Sequence, residues 1–308
     1  MRGKGKGDVK MTENEFLLED RIIKIKSINE KYNLLDNAYI SFSGGKDSTV
    51  LSYLIDEALP QNKIPRVFFN TGIEYKMIVD FVKEFQKLDD RVVIYNVGKN
   101  IKKTLDEVGY PFKSKEHSQK VYEYTHYKKC GKSILKYFGL IEGDAYRPCP
   151  EKLKYQITND FKLKISHFCC NEFKKKPSKD YMKNSGKFIT ITGMMKSEGG
   201  ERTSLNCIST NKNSKRIKFN PMSVLTKQWE DWFIAKKNIK LCELYYPPFN
   251  FERTGCKGCP YNPKLDNDLL ALKILLPNEA SQCEFIWKPV YEEYRRIGYR
   301  LKPKGLFD

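Results

Sequence analysis

The sequence predicts an α/β fold in which helices flank a parallel sheet. Short runs of β-branched and aromatic residues occur at 39–42, 67–69 and 91–97, and such runs favour strands. Stretches of helical length separate them, one beginning near residue 49 and one over 77–88, where apolar residues recur with helical spacing. Because strands that alternate with helices pair in parallel through right-handed crossovers, this order predicts a single parallel sheet.

The remaining predicted elements follow from the same two patterns. Residues 113–165 are rich in lysine and tyrosine, and their pattern predicts several short helices. The run FITIT predicts a further strand, which a glycine ends. In chain order, the other predicted elements are a helix over 13–33, this strand over 188–192, and helices over 225–238, 266–276 and 284–297.

Composition and charge limit the class of protein. The chain has 308 residues, enough to bury a sizeable core, and its 40% hydrophobic content excludes a disordered chain. Residues 1–12 predict a loose basic tail with no apolar segment after it. No apolar run approaches the roughly 18 residues of a membrane span, so a soluble cytoplasmic protein is expected. The net charge of +18 favours a polyanionic partner such as a nucleic acid, and a lysine-rich surface without such a partner is the alternative.

The strongest local signal is the segment SGGKDS, which lies between the first predicted strand and the helix after it. A loop in this position directs backbone N–H groups and a helix N-terminus at one point, which predicts an anion site. The glycines permit a tight turn and a close approach to phosphate oxygens, and the serines offer hydroxyl donors. Lys46 adds a mobile positive charge, and Asp47 either caps the helix or holds Mg²⁺. The six residues are Ser43, Gly44, Gly45, Lys46, Asp47 and Ser48.

This segment has two other possible interpretations. The common phosphate loop GxxxxGK[ST] is not matched, since Lys46 is followed by Asp47 rather than by serine or threonine. An ordinary capped turn between a strand and a helix is the structural alternative, and it leaves the paired glycines and the lysine unexplained.

At these residues the chain resembles a known family. SGGKDS resembles the pyrophosphate-binding loop (PP-loop) of the adenine-nucleotide α-hydrolase superfamily, and the nearest branch is the phosphoadenosine phosphosulfate (PAPS) reductase family. Residues 69–74 (FNTGIE) resemble the segment after the second strand, and 193–202 (GMMKSEGGER) resemble a later loop near the nucleotide. Residues 219–222 (FNPM), followed by Trp229, resemble a further segment of that branch. The resemblance covers about residues 36 to 300.

The resemblance implies a Rossmann-like (HUP-type) sheet of five parallel strands and cleavage of ATP between its α and β phosphates. Asn70 stands where the family usually has aspartate, and Met195 where arginine is common, so Lys196 and Arg202 are the cations of the later loop. It implies three catalytic residues, Lys46, Asp47 and Arg202. It implies that the nucleotide is bound by Ser43, Gly44, Gly45, Lys46, Asp47, Ser48, Thr71, Gly72, Glu74, Gly193, Lys196 and Glu198.

The cysteines predict a metal site. Cys256 and Cys259 form a CxxC motif, and the tandem pair Cys169 and Cys170 occurs earlier in the chain. Four soft thiolates suit an iron–sulfur centre, and this arrangement resembles the [4Fe–4S] ligands of assimilatory adenylylsulfate reductases. Three alternatives stay open: Cys283 as the fourth ligand in place of Cys169, zinc on the same thiolates, or buried free cysteines.

The predicted domains follow these motifs. Beyond the basic tail, residues 13–240 are predicted to form the nucleotide domain, with a helical insertion over 113–185 that carries the cysteine pair, and 241–308 to form a cluster-binding helical extension. Cys149, flanked by basic residues that would lower its pKa, is a candidate sulfur carrier or a structural cysteine.

Three functions are compatible with these features. The first is an ATP-dependent, Mg²⁺-requiring sulfur-transfer enzyme, similar to a component of DNA phosphorothioation systems, with a nucleic-acid acceptor and a sulfur donor such as a cysteine desulfurase. The second is a sulfonucleotide reductase that makes sulfite. Such enzymes use a cysteine on a C-terminal tail, whereas no cysteine follows Cys283 here. The third is a non-catalytic nucleotide-binding subunit.

Overall fold

The computed structural model describes four ranges of the chain, 11–127, 130–199, 202–211 and 214–303. The predicted basic tail lies outside the described residues except for its last two positions, and so does the end of the predicted extension beyond residue 303. The chain divides into two compact units, each built from three segments. Unit 1 comprises Met1–Phe69, Met77–Tyr95 and Asp180–Pro247, and unit 2 comprises Asn70–Lys76, Asn96–Lys179 and Pro248–Asp308.

Eleven α-helices occur in the described residues, with short 3₁₀- and π-helical turns between them. Helices α1 to α11 span Glu13–Tyr32, Leu34–Asn37, Lys46–Ala58, Lys76–Leu88, Ile101–Val108, Lys115–His126, Lys132–Phe138, Lys176–Ser185, Lys227–Lys237, Leu265–Leu275 and Pro277–Arg296. Side-chain caps begin several of them, as at Thr226, whose hydroxyl accepts from the N–H of Trp229 at 3.2 Å. Among the helices described, none has the length and apolarity that a membrane crossing requires.

Six strands form one sheet in the order β3-β2-β1-β4-β6-β5. Strands β1 to β6 span Ala38–Ser41, Arg66–Asn70, Val92–Asn96, Ile189–Ile191, Ile208–Asn211 and Ser214–Phe219. β1 pairs in parallel with β2 and with β4, and β4 pairs in parallel with β6. The predicted α/β class with a mainly parallel, helix-flanked sheet is therefore confirmed.

The predicted number of five strands is wrong, because the sheet has a sixth strand at its edge. β5 pairs with β6 in the antiparallel direction and ends the sheet. The two strands read ISTN and SKRIKF, and the first half of β6 is exposed. An edge hairpin needs no continuous apolar run, so its polar sequence resembles that of a loop.

Two helices begin three or more residues earlier than predicted. The helix expected from about residue 49 begins at Lys46, because Gly45 takes the extended conformation of an N-cap, with φ −81° and ψ 164°. The helix expected from residue 284 begins at Pro277, a residue type that favours the first helical turn. The first of these shifts places half of the SGGKDS segment inside the first turn of α3.

The core of unit 1 fixes both ends of this segment. Ala38, Tyr39 and Ile40 in β1 are fully buried, as expected for a strand in the middle of a parallel sheet. Helix α3 is buried along most of its length through Val50, Leu51, Leu54 and Ile55. The loop between β1 and α3 therefore connects two elements held by the core.

Unit 2 contains a buried polar network around His117. Its Nδ1 lies 2.8 Å from Tyr137 Oη, and its Nε2 lies 2.7 Å from Gln156 Oε1. Burial lowers the pKa of His117 to about 4, so the ring is neutral. Because an amide oxygen only accepts, Nε2 carries the proton and Tyr137 donates to Nδ1. Both ring nitrogens are thus engaged within the fold.

Candidate functional site

The backbone of the SGGKDS segment has a conformation that requires glycine. Gly44 lies in the left-handed region, with φ +68°. A Cβ atom added to Gly44 would lie 2.7 Å from Val82 Cγ2 and 3.1 Å from Ile78 Cγ2, both on α4. A side chain at this position would therefore force α4 and the loop apart.

The two serines of the segment hold the loop in shape. Ser48 Oγ donates to the carbonyl of Gly45 at 2.9 Å and accepts from the N–H of Ser43 at 3.1 Å. The hydroxyl oxygens of Ser43 and Ser48 are 3.0 Å apart, and the N–H of Gly45 points to Ser43 Oγ at 3.3 Å. Since the hydroxyl proton of Ser48 is used by Gly45, Ser43 donates to Ser48. The predicted hydroxyl donors thus act within the loop.

Helix α3 begins at the end of this loop. The first amides of a helix have no acceptor within the helix, and they carry the positive end of its dipole. The N–H of Lys46 donates to Tyr245 Oη at 2.9 Å, so the tyrosine hydroxyl occupies one position at the helix end. The arrangement has the components of an anion site at a helix N-terminus.

The ammonium of Lys46 lies beside two carboxyl groups of α9. Its Nζ forms an ion pair with Asp231 and lies 3.6 Å from Glu230 Oε2. Burial would lower the pKa of Lys46, but the hydrogen bond with Asp231, together with the negative charge of nearby carboxyl groups, outweighs burial and raises it. The lysine is therefore fully charged at neutral pH.

Glu230 is a buried carboxyl beside the loop. It is 1% exposed, and its Oε1 has no hydrogen-bond partner among the described residues. Burial, followed by the charge of Asp47, raises the pKa of Glu230 to about 8. A large share of Glu230 therefore carries a proton at neutral pH, and Asp231 supplies most of the charge that holds Lys46.

The end of β4 packs against the first turn of α3. A Cβ atom on Gly193 would lie 2.6 Å from the carbonyl oxygen of Asp47, so only glycine fits this approach. The structure thus brings Gly193 and Asp47 together, two residues that the sequence places in one site. In the loop that follows, Arg202 forms an ion pair with Glu198, and Lys196 is exposed.

The remaining predicted nucleotide residues form a turn in unit 2. The N–H of Thr71 donates to Glu74 Oε2 at 3.0 Å, and its hydroxyl donates to Glu74 Oε1 at 2.7 Å. Gly72 is left-handed, with φ +82°, and its N–H donates to Asn70 Oδ1 at 3.3 Å. Asn70 in turn donates to Asn96 Oδ1 at 3.0 Å, so the amide that replaces the usual aspartate has a structural contact.

Four cysteines of unit 2 lie close enough for their charges to act on one another. The sulfur atoms of Cys169 and Cys170 are 3.9 Å apart. The hydrogen bond with Cys170 raises the pKa of Cys169 most, and burial raises it further. The charges of Cys259 and Cys256 add smaller increases. Burial raises the pKa of Cys259 to about 12, and it also raises the pKa of Cys256. The tandem pair and the CxxC motif thus come together from distant parts of the chain.

A lysine lies near these thiols. The charge of Cys256, and to a smaller extent those of Cys170 and Cys259, raises the pKa of Lys174 above its ordinary value against the opposing effect of desolvation. Lys174 lies in a π-helical turn, Asn171–Lys175, directly after the tandem cysteines. π-helical turns occur frequently at functional sites, and here the turn places a cation near three potential thiolates.

Cys283 and Cys149 have other surroundings. A Cβ on Gly258, whose φ is +60°, would lie 2.7 Å from Cys283 Sγ, so Cys283 packs directly against the CxxC turn. Burial has the largest effect on the pKa of Cys283, and smaller effects come from the charges of Lys257, Glu279 and Glu284. Burial raises the pKa of Cys149 to about 11, which contradicts the lowered pKa expected from its basic neighbours and disfavours a sulfur carrier.

The described part of the chain contains no preformed site for a single metal ion. In the described ranges, no three side chains of the His, Cys, Asp and Glu types are arranged to hold one ion. The donor chemistry nevertheless fits an iron–sulfur cluster, because four thiols share one neighbourhood with a cation that balances thiolate charge.

Sequence reasoning missed three contributors to the phosphate loop: Tyr245, Glu230 and Asp231. They come from segments about two hundred positions after the loop, so no local pattern links them to it. The available sequence signal for these residues was a pair of adjacent acidic residues between two tryptophans of α9.

The family of the chain follows from its sequence match. Residues 37–143 and 145–262 match the family model of the phosphoadenosine phosphosulfate reductase domain. This match covers most of the chain, and the chain therefore belongs to that family.

Individual relatives are distant. An uncharacterized protein of Methanocaldococcus jannaschii is 26% identical over 294 residues, which cover 91% of this chain and 55% of that protein. The chain thus spans about half the length of the curated relative it matches.

Two solved structures are among those with similarity to this chain. A phosphoadenylyl-sulfate (PAPS) reductase from Candida auris, in a phosphate complex, is 15% identical with a TM-score of 0.45, over 81% of this chain and 98% of that chain. An NH3-dependent NAD synthetase from Campylobacter jejuni is 14% identical with a TM-score of 0.42, over 96% of this chain and 99% of that chain.

Proposed function

We propose that this chain binds ATP at Ser43–Ser48 and cleaves it between the α and β phosphates. One observation carries the proposal: a glycine loop with Gly44 in the left-handed region leads into the N-terminus of α3, where the charged Lys46 stands. Amides, helix dipole and ammonium together favour a polyphosphate anion. Membership of the family supports an adenine nucleotide as the molecule that carries this polyphosphate.

The residues of the loop have separate roles in this proposal. Amides of the loop and of the first turn of α3 hold the two terminal phosphates, and a phosphate oxygen replaces Tyr245 Oη as the acceptor for the N–H of Lys46. Lys46 neutralises the charge that develops on pyrophosphate as it leaves, and Arg202 gives a second cation. Asp47 is the loop carboxylate suited to Mg²⁺, which supplies further charge neutralisation when it arrives with the nucleotide. Gly193 permits the close packing that holds Asp47 in place.

The reaction begins with transfer of the adenylyl group. An oxygen of the acceptor attacks the α-phosphorus, and the bond to the β-phosphate oxygen breaks with its electron pair leaving on pyrophosphate. The acceptor then carries AMP on that oxygen. A sulfur nucleophile subsequently displaces AMP, so that sulfur replaces the activated oxygen. A sulfur-donor protein such as a cysteine desulfurase is the partner for this step: its persulfide attacks through the outer sulfur, AMP leaves with the electron pair of the broken bond, and a thiol reductant then cleaves the S–S bond so that one sulfur stays on the acceptor.

The cysteines support the sulfur-transfer half of the proposal. Cys169, Cys170, Cys256 and Cys259 would hold a [4Fe–4S] cluster, and Lys174 would balance part of the thiolate charge. Such a cluster would supply electron-transfer chemistry. Zinc on the same thiolates and Cys283 as a ligand are the competing assignments. The net charge of +18 supports a nucleic acid as acceptor.

Two competing functions remain testable alternatives. The matched family favours a sulfonucleotide reductase, which would take adenylylsulfate or its 3′-phosphate and release sulfite. A nucleotide-binding subunit without catalysis would bind ATP at the same loop and leave it intact.

The products formed from ATP distinguish these functions. With ATP labelled at the α or the γ phosphate, Mg²⁺ and DNA or RNA, we expect labelled AMP, free or attached to acceptor, and labelled pyrophosphate. Chelation of Mg²⁺ serves as the control and abolishes both products. Release of inorganic phosphate and ADP would contradict the proposal. Sulfite formed from a sulfonucleotide with thioredoxin would support the reductase, and binding without products would support the subunit.

A further inference from the structure

Helix α9 presents two carboxyl groups to the phosphate loop, and its rotation is fixed by the core of unit 1. Trp229 and Phe233 are buried on one side of α9, with ring centroids 5.0 Å apart. Glu230 and Asp231 follow Trp229 directly, so the packing of these rings determines where the carboxyls lie. Both carboxyls meet the ammonium of Lys46.

The two carboxyls differ in burial. The side chain of Glu230 is 1% exposed, whereas that of Asp231 is 65% exposed and approaches Lys46 from the solvent side. Because the raised pKa of Glu230 leaves it largely protonated, the charged partner of Lys46 is Asp231. A phosphate anion that takes the ammonium must therefore compete with an exposed aspartate.

We propose that Asp231 is a positioning residue of the phosphate site, which holds the Lys46 ammonium against α9 in the free chain and releases it to a bound polyphosphate. The inference rests on the proposed function in one respect, since it takes Ser43–Ser48 as the phosphate site. It adds that the strength of the Lys46–Asp231 ion pair sets the affinity of that site. The pair also assists the release of pyrophosphate, because Asp231 recaptures the ammonium.

The expected effect is modest in size and definite in sign. Exposed ion pairs of this kind change an equilibrium by about two- to fivefold. Removal of the aspartate charge frees Lys46 and removes a negative charge near the incoming anion. Both effects strengthen the binding of phosphate ligands.

The test is the dissociation constant of inorganic pyrophosphate and of the α,β-methylene analogue of ATP, measured by calorimetry with Mg²⁺ and with a chelator. For Asp231→Asn we expect binding of both probes to tighten by about two- to fivefold. Glu57→Gln is the matched control. Glu57 also pairs with a lysine, since it lies 2.7 Å from Lys237, which is on α9 like Asp231. This control should bind like the unchanged chain.

A double-mutant comparison separates positioning from simple repulsion. With Lys46→Met already present, the gain from Asp231→Asn should shrink to less than half. An undiminished gain would show that Asp231 acts by its charge alone and would overturn the proposal. Unchanged or weaker binding in Asp231→Asn would also overturn it, including weakening confined to Mg²⁺, which would make Asp231 a metal ligand.

The same titrations distinguish a failure of this inference from a failure of the proposed function. If neither probe binds the unchanged chain, the phosphate site itself is wrong, and the inference fails with it. If the probes bind and Lys46→Met weakens them, while Asp231→Asn does not tighten them, only the inference is wrong. Asp231 lies on the surface, so its substitution should leave thermal unfolding close to that of the unchanged chain.

Discussion

Lys46→Met is expected to lower pyrophosphate release from ATP by about a hundredfold or more, the usual range when a group that stabilises transition-state charge is removed. Pyrophosphate leaves with additional negative charge, and Lys46 is the cation at the N-terminus of α3. Methionine keeps most of the aliphatic length and removes only the charge. The measurement is the initial rate of pyrophosphate release at saturating ATP and Mg²⁺.

The fold should survive this substitution. The Lys46 side chain is 20% exposed, and its partner Asp231 is free to turn to solvent. Lys237→Met is a suitable control, because Lys237 lies on α9 and pairs with Glu57 away from the loop. Turnover of Lys46→Met within a fewfold of the control would contradict the role of Lys46.

Cys256→Ser is expected to remove nearly all bound iron and inorganic sulfide from chain purified without oxygen. Serine lacks the soft thiolate that iron–sulfur centres require, and Cys256 belongs to the group of four interacting cysteines. The measurements are iron and sulfide content and the visible absorption spectrum. Unchanged absorption in Cys256→Ser would exclude Cys256 from the ligands, and zinc in place of iron would support the competing metal.

Two further substitutions locate the fourth ligand. Cys283→Ser is the matched control, since Cys283 is fully buried against Gly258. We expect it to keep its iron, and Cys169→Ser to lose iron. The reverse pattern would assign Cys283 in place of Cys169.

The phosphate loop and most regular elements could be predicted because their signals are local. The strand before the loop, the apolar helix after it and the glycine pair all lie within twenty residues. The start of α3 at Lys46 could not be read from propensity, because Gly45 caps the helix through its backbone conformation rather than a side chain. The β5–β6 hairpin was missed because its edge position allows a polar sequence.

The candidate site was less predictable wherever it depends on tertiary packing. Residue types indicated which cysteines suit a cluster, but only the fold brings Cys169 near Cys259. The raised pKa of Cys149 arises from burial, which its basic sequence neighbours do not reveal. The contact of Asp231 with Lys46 likewise depends on how buried rings orient α9.

A crystal structure with the α,β-methylene analogue of ATP and Mg²⁺ tests the central claim most directly. We expect the terminal phosphates to lie on the amides of Gly44 to Ser48, with the Lys46 ammonium moved from Asp231 onto a phosphate oxygen. A crystal in which the nucleotide binds elsewhere, while this loop keeps its Lys46–Asp231 pair and holds no phosphate, would contradict the account.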